Sequence, residues 1–285
     1  MQVPDEKLSS VVIGRIHISP WVGQEFEDRI VELLSAREEY EQYKHKGKGK
    51  FLWVFADILV KQVDDDKIIF ARLGKNKKEK VETIFDKKNW SYTRVAVTAP
   101  KAESFSNFII MPKSQTILFE EKKSIISINQ FVEMFSSIYN QHFNDISDLK
   151  IDLVYEREKI FYKLKEYDKI TEVQLNLVPS NPENETEFKK LDDTLKEIKA
   201  KAATLVFKNE TDGLNIGENT IIAQGINLSS AGYGTVKFTA TKGSETENFD
   251  SKSQILRYGV PKSDTPSTII SNFYKKFLGY IHGRK

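Results

Sequence analysis

Apolar and polar residues alternate along much of the first half of the chain, which is the spacing typical of β-strands. Residues 10–19 read SVVIGRIHIS and predict a strand that ends at Pro20. Similar patterns predict six more strands, at residues 51–60, 67–73, 80–85, 92–98, 105–111 and 116–120. Two other segments repeat their apolar residues every three or four positions, and they predict helices at residues 24–43 and 127–142.

The second half of the chain alternates strand-like and helix-like segments. Strands are expected at residues 150–155, 171–178 and 203–208, and helices at 157–167, 185–200, 215–227 and 268–281. Residues 234–242 and 253–260 are expected to form a terminal pair of strands. This change of pattern predicts an α+β protein of two domains. Residues 1–147 would form a β-rich N-terminal domain, an antiparallel sheet with two helices. Residues 148–285 would form an α/β-like C-terminal domain that ends in a basic helix.

The composition removes most familiar catalytic chemistries. The 285 residues include no cysteine and only four histidines, and no two histidines have the spacing of a metal site. The chain has neither a glycine-rich phosphate loop nor a nucleophile elbow. It also has no secretory leader and no apolar run of about 18 residues, so we expect a cytoplasmic protein without membrane contact. We expect no cofactor, and nothing in the sequence marks the protein as an enzyme.

One acidic segment leaves a catalytic alternative open. Asp152, Glu156, Glu158 and Lys159 resemble the part of a nuclease motif in which acids and a lysine hold a magnesium ion and a water. The same order of residues is typical of a solvated helix start, where acids and cations pair along the surface. Both interpretations stay open at this point.

Two further features have a structural and a chemical interpretation. The acidic run at residues 64–66 lacks the additional oxygen ligands and the glycine of a calcium loop, so we expect a hairpin turn. His17 lies inside the first strand and is either a catalytic base or an ordinary strand histidine.

Three segments concentrate positive charge in a chain whose net charge is only +2. Residues 252–285 alone carry seven lysines or arginines and a single acid, Asp264. Segregated cations suit contacts with phosphates, although lysine-rich loops also serve solubility alone. The predicted nucleic-acid contacts are Lys44, Lys46, Lys48, Lys50, Arg72, Lys75, Lys77, Lys78, Lys80, Arg257, Lys262, Lys275, Lys276, Arg284 and Lys285.

Four stretches resemble an uncharacterised bacterial family, a domain of unknown function found in genomic neighbourhoods of phage defence. They are VVIGRIHISP at residues 11–20, FIIMPKSQTILFE at 108–120, the helical segment 127–141, and the strand–Asn-Pro–helix–strand unit at 173–207. The layout is more remotely similar to the family of the exclusion protein A of the phage lambda Rex system. That similarity implies a two-domain, dimeric protein that binds DNA without sequence specificity. Neither family supplies a residue motif, so no site residue comes from the resemblance.

Three functional hypotheses remain. The first is a defence-associated protein that binds nucleic acid, DNA in preference to RNA, through backbone phosphates. The second is a magnesium-dependent nuclease built on the acidic segment. The third is a non-catalytic sensor or interaction subunit that works with an effector protein encoded nearby. A homodimer is compatible with all three.

Overall fold

A computed structural model describes residues 8–19, 25–44, 47–77, 80–86, 90–97, 105–145, 147–180 and 186–282. Within these ranges the chain has the expected α+β fold. The α-helices are α1 (Glu25–Ser35), α2 (Ile128–Phe143), α3 (Arg157–Lys165), α4 (Lys189–Glu197), α5 (Ile221–Ser230) and α6 (Pro266–His282). The strands are β1 (Leu8–Ser19), β2 (Tyr40–Lys44), β3 (Gly47–Val63), β4 (Asp66–Lys77), β5 (Lys80–Asp86), β6 (Ser91–Val97), β7 (Phe105–Met111), β8 (Thr116–Glu121), β9 (Asp148–Leu153), β10 (Lys169–Leu177), β11 (Ala203–Lys208), β12 (Gly234–Lys242), β13 (Glu245–Asp250) and β14 (Arg257–Pro261).

The larger sheet has eight strands in the order β14-β1-β8-β7-β4-β3-β2, with β9 also paired to β1. Successive side chains of a strand point to opposite faces, so each strand contributes to two cores. Val12 and Ile69 belong to the core that α2 covers, and we call this side the α2 face. Val11 and Phe70 belong to the core that α6 covers, and we call this side the α6 face. A sheet covered on both faces explains why β1 is apolar at neighbouring positions.

Helix α2 begins at a capping box. The hydroxyl of Ser127 accepts from the backbone N–H of Gln130, and the side chain of Gln130 accepts from the backbone N–H of Ser127, both at 3.3 Å. Reciprocal bonds of this kind satisfy N–H groups that have no partner inside the helix. The apolar side of α2 then packs on the sheet, where the ring of Phe131 stacks on that of Phe119 with centroids 4.1 Å apart.

The smaller sheet has four strands in the order β11-β10-β12-β13, and all of its pairs are antiparallel. Helix α5 lies close to β10 because Gly225 has no side chain: a Cβ there would approach Cδ1 of Leu175 to 2.3 Å. Val173 and Phe238 on this sheet belong to the same apolar cluster as the α2 face of the larger sheet. The two sheets therefore share one core.

Most elements lie where the sequence predicts them, but the first helix is shorter than expected. Helix α1 ends at Ser35, and residues 40–44 form β2 instead of continuing the helix. Arg37 has a φ of 54°, a left-handed conformation that ends helices. The expected turn at residues 64–66 is confirmed, because Asp64 and Asp65 connect β3 to β4.

The expected terminal pair of strands is wrong. β12 pairs with β10 and with β13, whereas β14 pairs with β1 in the larger sheet. Strand β13 has a polar sequence, ETENFD, and the apolar pattern did not predict it. Gly243, with a φ of 61°, supports the tight connection between β12 and β13.

The expected domain boundary between residues 147 and 148 lies between α2 and β9. The segment after this point nevertheless supplies β9 and β14 to the larger sheet and places α6 on its α6 face. The smaller sheet comes from residues 169–250. The two sheets therefore do not separate at the expected boundary, because strands from later in the chain complete the first sheet.

Candidate functional site

Helix α6 presents a basic outer side to solvent. Its inner side is apolar, and Phe273 and Phe277 are among the side chains that it buries on the larger sheet. The 17 residues of α6 include no aspartate or glutamate, so its ionic character comes from Lys275 and Lys276 and from the terminal His282. Lys275 is exposed, and Lys276 lies over the ring of Tyr258 at 5.8 Å. Neither lysine forms an ion pair with any residue that the structure describes.

The other C-terminal cations have different surroundings. Lys262 is exposed just before α6. Arg257 lies opposite Val12 in the β1–β14 pair, so it belongs to the α2 face, and its Nε donates to Glu121 Oε2 at 3.1 Å. Arg284 and Lys285 lie outside the described residues. The predicted C-terminal cluster is therefore divided: Lys262, Lys275 and Lys276 lie on or beside α6, whereas Arg257 on β14 is paired with Glu121.

The two lysine-rich segments of the first half share one end of the larger sheet. Lys77 on β4 lies opposite Phe51 on β3, and Lys48 lies opposite Tyr43 in the β2–β3 hairpin. The backbone therefore brings Lys44, Lys48, Lys50 and Lys77 to neighbouring strands at this end of the sheet, and Lys80 begins β5. Lys46 and Lys78 lie outside the described residues.

This lysine-rich end is far from the middle of α6. Tyr274 of α6 contacts Asp66 at the first residue of β4, and Lys77 is the last residue of the same strand. Eleven residue steps of about 3.3 Å separate these two positions by roughly 36 Å. Lys275 and Lys276, next to Tyr274, therefore lie towards one end of β4, and Lys77 lies at the other end. The start of α6 lies nearer the middle of this strand, because Arg72 Nη2 donates to the backbone oxygen of Asp264 at 3.2 Å.

Arg72 and Lys75 lie between these two ends, on opposite faces of β4. Arg72 is on the α6 face, where its guanidinium binds Asp57 at 2.6 Å and Asn107 at 3.0 Å. Lys75 is on the α2 face, where its ammonium donates to the backbone oxygen of Ile125 at 3.0 Å and lies over the Phe51 ring. Both cations therefore interact with groups of the protein itself. Because they lie on opposite faces of the sheet, a single flat surface cannot contact both of them.

The four residues of the nuclease alternative do not converge. Asp152 is buried on β9, where Oδ1 pairs with Lys150 at 2.8 Å. Glu156 pairs with Lys159, and Glu158 pairs with Arg157 at the start of α3. Across the described residues, no three histidine, aspartate or glutamate side chains gather as a metal site would require. The geometry gives this hypothesis no support.

Asp152 instead meets His17 at the junction between the larger sheet and α5. His17 Nε2 lies 3.6 Å from Asp152 Oδ2 and 3.1 Å from the backbone oxygen of Gly232. Burial lowers the pKa of His17, and the attraction of Asp152 only partly opposes this effect. The imidazole is therefore held neutral and bound to backbone. This arrangement fits a structural contact, because Nε2 of His17 is engaged with the backbone oxygen of Gly232 and the imidazole packs against the ring of Tyr233.

Sequence reasoning overlooked Arg15, which is the most buried charged side chain of this junction. Its Nη1 donates to the backbone oxygen of Ser114 at 2.7 Å and to Thr116 Oγ1 at 2.9 Å, and its Nε reaches the backbone oxygen of Ala231 at 3.4 Å. Ala231 is the C-terminal cap of α5, whose carbonyl end attracts a cation. Arg15 lies two positions after Ile13 and four after Val11, on the same side of the strand as these apolar residues, and this spacing is the signal that would have indicated burial.

With this geometry described, comparison with known proteins shows the family. A family model matches residues 28–277, which is most of the chain. The chain belongs to the DUF4747 family. This family is described as a domain of unknown function, so membership confirms the resemblance to an uncharacterised family and assigns no activity. No curated protein matches this DUF4747 chain. The association with phage defence and the similarity to the Rex family stay predictions.

One further property of the DUF4747 chain concerns its helices. Among those that the structure describes, none combines the length and the apolar character needed to cross a bilayer.

Proposed function

We propose that this DUF4747 protein binds nucleic acid, DNA in preference to RNA, through backbone phosphates and without sequence specificity. The observation that carries the proposal is α6, a helix without acids that exposes Lys275 and holds Lys276 without an ion pair to any described residue. Each phosphate that such a lysine neutralises releases condensed counterions, and this release favours binding.

The basic residues would act as two contact areas. The C-terminal area consists of Lys262, Lys275 and Lys276, with Arg284 and Lys285 following in sequence. The hairpin area consists of Lys48 and Lys50, which alternate with Phe51 and so lie on the α6 face. Lys77 pairs with Phe51 and Lys44 pairs with Gly47, so both of these lysines lie on the α2 face and are left out. A duplex lying along β4 would meet Lys275 and Lys276 about one helical turn from Lys50, since a turn of B-DNA spans roughly 34–36 Å. Lys262 would contact it between them, because the nearby Asp264 accepts from Arg72. Arg72, Lys75 and Arg257 are left out because their charges are engaged within the protein.

The biological setting is part of the same proposal. The resemblance to families from phage-defence neighbourhoods and from the Rex system implies a defence role and a homodimer, and we propose a cytoplasmic location. Phosphate contacts without base readout suit such a role, because they allow binding to any invading DNA sequence.

The test compares two triple variants of equal charge change. One variant reverses the C-terminal area (Lys262→Glu, Lys275→Glu, Lys276→Glu), and the control reverses three exposed lysines elsewhere (Lys123→Glu, Lys189→Glu, Lys201→Glu). Fluorescence anisotropy with a random duplex of roughly three helical turns measures binding in low-salt buffer. We expect at least a tenfold weaker affinity for the first variant than for the control. Equal affinities, or no binding by the unaltered protein to duplex, single-stranded DNA or RNA, would contradict the proposal.

A further inference from the structure

A cleft between three helices is not used by the proposed nucleic-acid contacts. It has a volume of about 750 Å³ and lies between α3, α4, α5 and the segment 216–219. Ala223, Gln224 and Asn227, one stripe of α5, form its floor, and Phe161 and Ile216 line its walls. Small-molecule sites commonly have volumes of about 300–1,000 Å³ and combine apolar walls with a few polar groups. The cleft therefore has the size and composition of a ligand site.

Asn227 supplies a polar atom that the protein itself leaves unused. Its Oδ1 is buried and accepts no hydrogen bond from any residue that the structure describes. The neighbouring amide is different, because Gln224 Oε1 accepts from the backbone N–H of Leu191 at 3.0 Å. A buried acceptor without a donor costs free energy. The Asn227 residue as a whole is only half-buried and lines the cleft, so rotation of its amide would turn the oxygen towards a ligand N–H, which would recover this cost.

The amide of Asn227 selects a particular kind of ligand. It places an acceptor and a donor side by side, and this pair matches the edge of a nucleobase, where a donor adjoins an acceptor. The aromatic ring of Phe161 on the adjoining wall suits the flat face of such a base, since stacking of bases on aromatic side chains is favourable.

The charged residues at the rim of the cleft indicate which net charge of a ligand the cleft favours. Three cations, Arg157, Lys165 and Lys190, face three acids, Glu158, Glu187 and Glu218. Arg157 is already bound to Glu158 and Glu187. A rim with balanced charge favours a neutral or singly phosphorylated ligand over a triphosphate.

We propose that this cleft binds a nucleoside or nucleoside monophosphate, with the polar edge of the base on the amide of Asn227 and its face on Phe161. This site is separate from the basic contact areas, because none of Lys262, Lys275 and Lys276 lines it. Its test therefore does not depend on whether the protein binds DNA.

Calorimetric titration of the full chain tests the proposal directly. The probes are adenosine, cytidine, AMP, ATP and ribose 5-phosphate. We expect saturable binding of a nucleoside and of AMP below roughly 1 mM, with ATP no tighter than AMP. N6,N6-dimethyladenosine, which lacks the amino donor, should bind at least tenfold more weakly than adenosine. No binding of either nucleoside, or ribose 5-phosphate binding as tightly as AMP, would overturn the proposal without any variant.

A variant then assigns the recognition to Asn227. Asn227→Leu keeps the approximate volume and removes the unused acceptor, so we expect a tenfold or greater loss of nucleoside affinity with no fall in Tm. Gln141→Leu, which removes a helical amide on α2 outside the cleft, should leave nucleoside affinity unchanged. Unchanged nucleoside affinity in Asn227→Leu would overturn the proposal. A lower Tm with unchanged affinity would show that Asn227 has a structural role only and would overturn it equally.

Discussion

The hydroxyl of Tyr274 donates a hydrogen bond of 2.9 Å to the carboxylate of Asp66, 208 positions earlier in the chain. It joins the last helix to the start of β4, directly after the turn of the β3–β4 hairpin. Tyr274 is only 6% exposed, so water competes weakly for this bond. The contact fixes where the basic side of α6 lies relative to the larger sheet.

Removing this hydroxyl is expected to destabilise the protein. Tyr274→Phe keeps the ring in the core of the α6 face and deletes the bond, so the free energy of unfolding should fall by about 1–2 kcal/mol. Denaturant unfolding measures the change. The control is Tyr162→Phe, because the side chain of Tyr162 is exposed and should tolerate the change. Equal losses in the two variants would contradict the anchoring role of Tyr274.

Because the hydroxyl of Tyr274 is buried and hydrogen-bonded, we also expect the protein to lose stability at alkaline pH. Burial, helped by the hydrogen bond to Asp66 and the charges of residues 64–66, raises the pKa of Tyr274 from 10.0 to about 12. The unfolded chain therefore releases this proton first, so the stabilisation is complete below pH 10.0 and is lost as the pH rises towards about 12. Unfolding experiments across this window should show a steeper decline for the unaltered protein than for Tyr274→Phe. Parallel declines would refute the assignment.

Arg15 is expected to be among the costliest residues to replace. Arg15→Leu would remove the Nε donor to the backbone oxygen of Ala231 and the Nη1 donor shared by Ser114 and Thr116, and the free energy of unfolding should fall by roughly 2–4 kcal/mol. Arg257→Leu is the matched control, because its ion pair with Glu121 is partly exposed and should contribute about 1 kcal/mol or less. Similar losses for both arginines in denaturant unfolding would count against the buried role of Arg15.

The sequence predicts local elements well and their partners poorly. Strand β1 and helix α2 follow from their own apolar spacing, which records which side of each element is buried. Strand β13 has no such spacing, because it is a polar edge strand held by backbone bonds to β12. β1 and β14 pair with each other although they lie near opposite ends of the sequence. The local pattern of apolar residues does not indicate which distant strand is the partner.

The distribution of the candidate site residues was partly predictable. Arg72 and Lys75 are three positions apart on one strand, and an odd separation places side chains on opposite faces. That rule alone separates them. The meeting of His17 with Asp152 could not be predicted in the same way, since it depends on the register between β1 and β9.

Because the imidazole of His17 is buried, we expect the protein to lose stability in mild acid. Burial lowers its pKa below 6.5, and Lys150 and Arg15 act in the same direction while Asp152 opposes them. The unfolded chain therefore takes up this proton first, so stability is complete above pH 6.5 and falls as the pH drops through 6.5 towards the lower pKa of the folded state. His17→Gln should lose less stability than the unaltered protein over this range. Identical pH profiles of the unfolding free energy would exclude this effect.

The two proposed contact areas make a prediction about salt. Each phosphate contact contributes about −0.9 to the slope of log K against log salt, so a protein with two areas has a steep slope that either set of charge reversals makes shallower. Because Lys275 and Lys276 lie roughly 36 Å from the hairpin area along β4, the two sets should act independently and their effects should add. Anisotropy titrations over a range of salt measure the slopes for three variants. One has Lys262, Lys275 and Lys276 reversed, one has Lys48 and Lys50 reversed, and one has both sets reversed. If the hairpin reversals leave the slope unchanged, DNA contacts the C-terminal area alone and the one-turn geometry is refuted.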